Sequence, residues 1–247
     1  MITNPVSIIV RACLGGAAAG LLAALFFLTV SQATLNEAIA FEEAASDVDS
    51  PLDDEEAEEP LVSRQTQTIG AVIASVLYGA LAGIVFGTIF AKVRHRLPAK
   101  TDFGRATQLA ALGFIITAAT PAIKYPANPP GVGNPDDVNQ RTVVFVTLLA
   151  AAIAVVAGLA LLYRWMRLRF EPATAHLLIT ATSVVSFVAL LVLWPADTTV
   201  VPDDFPADLL WRFRLQALTT LTITWVGLGV FTGWLVSQSG RKLDPSQ

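Results

Sequence analysis

The sequence predicts an all-α, polytopic membrane helix bundle with about six transmembrane helices and structured outer loops, and three observations carry that prediction. Across 247 residues, 54% are hydrophobic and only 15% charged, with a mean hydropathy of +0.60. A soluble domain carries about 25% charged residues. Several uninterrupted apolar stretches are long enough to cross about 30 Å of hydrocarbon. Basic residues also alternate between the connecting segments as a membrane topology requires. Together these exclude a soluble enzyme, a nucleic-acid binder and a disordered chain, and leave the lipid bilayer as the solvent.

A window of about nineteen residues places spans at approximately 6–33, 69–91, 106–122, 142–163, 173–194 and 209–236. The third is short and meets Pro121, so it reads either as a full span or as a broken helix whose unwound end lines a cavity. The first is too long for the apolar core of a signal peptide and is read as a span. Cys13 lies among small residues of that span, where packing is its expected role.

Charge sets the orientation. Lys92, Arg94, Arg96, Lys100 and Arg105 lie between spans two and three, and Arg164, Arg167 and Arg169 between spans four and five. Arg11, Arg241 and Lys242 complete 11 of the 16 basic residues on one side, while Arg64, Lys124, Arg141, Arg212 and Arg214 fall on the other. Six spans with both termini cytoplasmic satisfy this distribution in a cell membrane, whereas five would place one basic cluster outside. The whole chain is then one integral membrane domain. Its acidic outer loop, 34–68, includes a hydrated, mobile run at 47–60. Residues 37–59 hold 11 of the 20 carboxylates.

Small residues four apart mark three spans: Gly16 and Gly20, then Gly79, Gly83 and Gly87, then Gly229 and Gly233. Such stripes let helix backbones approach closely in lipid, within a bundle, against a partner helix or in a homo-oligomer. A weak repeat also shows: Tyr125-Pro126-Ala127-Asn128 follows span three, and Trp194-Pro195-Ala196-Asp197 follows span five.

Candidate chemistry sits on the outer side. The stretch KYPANPPGVGNPDDVNQRT, from Lys124, holds four prolines and two glycines in nineteen residues, so its backbone is held in rigid turns. Lys124, Tyr125, Asn128, Asp136, Asp137 and Arg141 are its candidate site residues. Lys124 and Arg141 either pair with Asp136 or Asp137 or line a pathway as an anion site. Arg212 and Arg214 open span six behind Trp211, where headgroups or outer carboxylates are their expected partners. Glu37, Glu42 and Glu43 after span one, with Asp203 and Asp204 before span six, are candidate ligands for a divalent cation, or the solvated face of a helix. Trp194, Trp211 and Tyr125 read as interfacial anchors. No nucleotide, zinc-protease or dinucleotide motif occurs. His95 and His176 each lack a second ligand at helical spacing, and no cofactor is expected.

At Lys124-Tyr125-Pro126-Ala127-Asn128-Pro129-Pro130, Val132-Gly133 and Arg141-Thr142 the chain resembles the CbtA family. Phe205-Pro206-Ala207, Leu210-Trp211, Phe213-Arg214, Ser63-Arg64-Gln65 and the glycine-rich second span support the likeness, which covers nearly the whole chain. The resemblance implies a multi-pass subunit for Co(II) uptake linked to cobalamin biosynthesis. It also implies a small one-span partner of the CbtB type with a histidine-rich tail, which would supply the soft ligands missing here. The family is described with five spans, against the six that the charges require. Two other functions compete: a membrane scaffold for the partner that transports nothing itself, and a carrier of an anionic solute using Lys124, Arg141, Arg212 and Arg214. A difficulty for cobalt is that no Asp, Glu or His lies within the hydrocarbon core of the spans, so an ion would meet hydroxyl, amide and carbonyl oxygens, which suit harder cations.

Overall fold

The computed structural model describes residues 4–49, 63–134 and 137–241. They form helices and connecting turns, and six helices are long and apolar enough to cross a membrane. Helix α1 (Pro5–Phe26) begins where Asn4 accepts a hydrogen bond from the Val6 amide at 3.0 Å, with Pro5 in its first turn. Both features suit a helix start, where the first amides have no partner inside the helix.

The first helix does not stop near residue 33. A wide π turn (Phe27–Ser31) runs directly into α2 (Gln32–Asp49). At 1.5 Å per residue the combined helix is about 68 Å long, roughly twice the hydrocarbon thickness. Residues 34–49, read from sequence as part of an acidic loop, are therefore helical. Their Ala, Glu and Leu residues favour helix whether or not they are solvated. Residues 50–62, which hold most of the 47–60 run, lie outside the described residues.

Helix α3 (Arg64–Val93) is capped by Ser63, whose Oγ accepts from the Thr66 amide at 3.3 Å. A short 3-10 turn (Arg94–Arg96) ends it. The third span proves continuous across Pro121: α4 (Asp102–Phe114), a π turn (Ile115–Ala119) and α5 (Thr120–Lys124). Proline lacks an N–H and crowds the carbonyl four residues back. The widened turn just before Pro121 relieves that crowding, and Thr120 Oγ1 donates to the Ile115 carbonyl at 2.7 Å. Helices α6 (Val138–Arg169), α7 (Pro172–Leu193) and α8 (Ala207–Arg241) complete the chain.

The chain divides into two compact units. The first comprises Met1–Phe114, Pro129–Gly131 and Phe205–Gln247. In it α1 packs on α3 and α8, and α4 packs on α8. Its core is built of Ile8, Ala12, Ala19, Phe86, Phe90, Ala106, Ala110, Leu228 and Val236. The glycine stripes account for this packing. A Cβ on Gly16 would overlap the Gly79 carbonyl, and one on Gly83 would overlap the Ala12 carbonyl. These stripes therefore face each other inside the chain. Gly229 and Gly233 in turn seat α8 against Ala110 and Phe103 of α4. Cys13, on the face of α1 toward Gly83, is half-buried.

The second unit comprises Ile115–Asn128 and Val132–Asp204. There α6 packs on α7, with α5 touching both. Its apolar side chains are largely exposed; Leu193, Val192 and Leu177 are 81%, 72% and 70% accessible. Such a surface suits hydrocarbon, since in water the same side chains would be driven into a core.

Candidate functional site

In the first unit, the end opposite Arg11 and Arg105 gathers the polar groups. Thr34, 2% exposed, accepts a hydrogen bond from Gln216 Nε2 at 3.0 Å, joining α2 to α8. One turn further out, Arg212 Nη2 contacts both Glu37 carboxylate oxygens at 3.0 and 3.1 Å, while its Nε donates to Asp208 at 2.8 Å. Phe41 then meets Phe205 edge-on, with ring centres 5.0 Å apart. Glu42 backs onto Gly131, a turn residue with φ +78°.

Between α3 and the π turn with α2, at the same end, lies a groove of about 410 Å³. Its polar lining is Gln32, Asn36, Glu43, Gln67 and Thr68, over a floor of Phe27, Leu35, Ile39 and Ala71. The amide of Gln32 donates to Thr68 Oγ1 at 3.1 Å, bridging the two helices.

Glu37, Glu42 and Glu43 thus lie in three different places. Residues one apart on a helix face different directions, so Glu43 lines the groove, Glu42 meets Gly131 and Glu37 binds Arg212. Among the described residues no three His, Cys, Asp or Glu side chains come together as a metal-holding group. Asp203 and Asp204 are exposed on the turn before α8. Arg214, two residues beyond Arg212 and half-buried, faces away from it along α8.

In the second unit, the proline-rich stretch runs alongside the segment that follows α7. Lys124 Nζ donates to the Leu191 carbonyl at 2.8 Å, Tyr125 Oη to the Pro195 carbonyl at 2.6 Å, and Asn128 Nδ2 to Thr199 Oγ1 at 3.4 Å. Asp197 in turn accepts from the Thr199 amide and hydroxyl at 3.1 and 2.7 Å. The aromatic-Pro-Ala-Asx repeat is a pair of helix stops. The amides of Tyr125 and Trp194 bond back to Pro121 and Leu190, and a proline follows each. Burial, and next the nearby Asp197 carboxylate, raise the Tyr125 phenol above its ordinary value. Trp194, expected as an interfacial anchor, donates its indole N–H to the Val144 carbonyl at 3.3 Å.

The sequence leaves Lys124 either pairing with Asp136 or Asp137 or lining a pathway as an anion site. It caps α7 instead, because the last carbonyls of a helix have no partner within it and attract a cation. Asp136 lies outside the described residues. Asp137 opens α6, and among the described residues no ion pair joins it to Lys124 or Arg141. Arg141 lines a shallow pocket of about 280 Å³ with Tyr125, Val138, Thr142 and Phe145, and its guanidinium lies beside Gly133. His176 is engaged by the Pro172 carbonyl and the Tyr163 hydroxyl. With Lys124 held by a carbonyl and Arg212 by two carboxylates, these cations are committed within the protein.

The groove was missed in the sequence. Its signal was Gln32, Asn36, Gln67 and Thr68, polar residues near the ends of two spans that each carry a glycine stripe. Searches of curated proteins and of solved structures find no match for this chain. A family model described as "Probable cobalt transporter subunit (CbtA)" matches residues 6–237. The match runs from the first helix to the last, and the chain belongs to the CbtA family.

Proposed function

We propose that this chain is the membrane subunit through which Co(II) is taken up, for use in cobalamin biosynthesis. Both termini lie on the cytoplasmic side of the cell membrane in this reading, and the groove of α2 and α3 is the outer vestibule. Membership of a family of probable cobalt transporter subunits carries it. The groove supports it by providing a cavity whose polar lining includes one carboxylate, Glu43. Among the described residues no histidine or thiolate lines that cavity, and in this reading the softer ligands that favour a transition metal come from a partner. A small one-span, histidine-rich subunit of the CbtB type suits that role.

The anion-carrier reading loses support from the engagement of Lys124 and Arg212. The scaffold reading makes a different prediction about flux. The test is accumulation of radiolabelled Co(II) in cells lacking other cobalt importers, with this chain expressed alone and with the small partner. Uptake that needs both chains is expected. No uptake with both chains verified in the membrane would overturn the proposal and leave the scaffold reading.

A further inference from the structure

We propose that the pocket at the start of α6 binds an anionic phospholipid, with the Arg141 guanidinium on the phosphate oxygens and the apolar walls against the glycerol and first acyl carbons. The proposal concerns the second unit alone and does not rest on the metal-transport reading.

The first support is an uncommitted charge. Lys124 is held by the Leu191 carbonyl, and Arg212 by Glu37 and Asp208. Arg141 is half-buried, and among the described residues no hydrogen bond or ion pair engages its guanidinium. A cation partly withdrawn from water calls for a counter-charge. Its position is nonetheless set by contact. A Cβ on Gly133, whose φ is +105°, would lie 2.9 Å from Arg141 Nη1, so the guanidinium rests against bare backbone. A planar guanidinium presents paired N–H groups that match two oxygens of a phosphate.

The second support is the lining. Val138, Arg141, Thr142 and Phe145 share one face of α6, and Tyr125 completes the pocket of about 280 Å³. The hydroxyls of Tyr125 and Thr142 donate to the Pro195 and Val138 carbonyls, so the guanidinium supplies the side-chain donors left for an anion. Val138 and Phe145 add apolar wall. A free hydrated anion gains nothing from such a wall, whereas a phosphate attached to glycerol and acyl chains buries apolar surface against it. Among the described residues no carboxylate lines the pocket. The ammonium of a choline or ethanolamine headgroup therefore finds no partner there, and a headgroup whose charge is the phosphate alone is favoured.

The third support is depth. Helices α5 and α7 end at Lys124 and Leu193, α6 begins at Val138, and the ends are bonded together through Lys124 and Leu191. Trp194 donates to the Val144 carbonyl, about one turn into α6 from Arg141. Trp and Tyr collect at the headgroup level of a bilayer, which is where lipid phosphates lie. Beyond the pocket α6 exposes Val143 and Val146, a surface on which acyl chains can lie. Basic pockets between membrane helices recognise lipid headgroups in this way.

Native mass spectrometry of the purified, delipidated full chain tests this, with phosphatidylglycerol, phosphatidylcholine and inorganic phosphate as probes. Phosphatidylglycerol should bind about tenfold more tightly than phosphatidylcholine, and Arg141→Gln should remove that preference, the loss of one charge-assisted contact. Arg141→Lys should keep part of it, since the charge stays and the fork is lost. Arg212→Gln controls for net charge and should leave the preference unchanged. Each variant is compared at a lipid-free melting temperature near that of the parent. A parent without the preference, or a preference that survives both Arg141 variants intact, would overturn the proposal. So would an equal loss in Arg212→Gln, which marks a general charge effect. Inorganic phosphate that displaces the lipid at equal concentration would make the ligand a free anion and overturn the lipid assignment.

Discussion

Arg212 holds two carboxylates at once, Glu37 across the helix pair and Asp208 one turn back on its own helix. Its side chain is 39% exposed and that of Glu37 is 52% exposed, so water screens the pair and it contributes little to stability. Arg212→Ala should lower the melting temperature only slightly, as read by a thermal scan in detergent. Lys124 differs, because its ammonium meets a helix-terminal carbonyl. Lys124→Met should destabilise the second unit by about 1.5–3 kcal/mol, the usual contribution of a charged hydrogen bond. Added anions should not stabilise the parent protein through this residue. Tyr125 carries the pH dependence. Its phenol has a raised value when folded, so the neutral form that donates to Pro195 is fully present below the ordinary tyrosine value of 10.0 and is lost as pH rises through the folded value. A spectrophotometric titration should show one tyrosine ionising later than the others, and Tyr125→Phe should abolish that late phase. These partners were beyond reach of the sequence. An unusual outer lysine is visible in a string of letters, but the carbonyl it caps lies 67 residues away.

Hydropathy read the helices by depth, and depth is where it succeeded. All six spans appear, with the hydrocarbon-length portions near the expected positions. The errors fall where conformation and solvation part company. Residues 34–49 are charged enough to leave the bilayer yet rich enough in helix formers to stay helical. Pro121 looked like a stop, and the π turn before it keeps the helix running. The glycine stripes were legible as close contacts but not as to partner, since spacing marks a face without saying what covers it. The structure pairs α1 with α3, and Gly83→Leu should therefore disrupt the fold itself. A destabilisation of about 1–3 kcal/mol or more is expected from forcing a side chain into that contact, seen as loss of a monodisperse species by size-exclusion chromatography. Gly158, with open space where a Cβ would go, should accept alanine without change.

The chain consists of a small-residue helix cluster that carries a groove, and a second unit whose proline-rich loop is bonded into place. The sequence pointed to the proline-rich loop as the site because it is the most constrained and recognisable stretch. The structure explains that constraint locally, through bonds to Leu191, Pro195 and Thr199. The groove was less visible because neutral Gln, Asn and Thr carry little signal in a charge or motif scan, and only helix pairing brings them together. In the proposed reading, transport depends on Glu43 more than on any residue of the loop. The direct measurement is Co(II) flux into proteoliposomes holding the purified chain with its small partner, compared across the parent, Glu43→Gln and Tyr125→Phe. The account predicts flux above that of empty vesicles in the parent, a several-fold fall in Glu43→Gln and near-parent flux in Tyr125→Phe. Flux no greater than in empty vesicles, from folded and co-assembled protein, would contradict it.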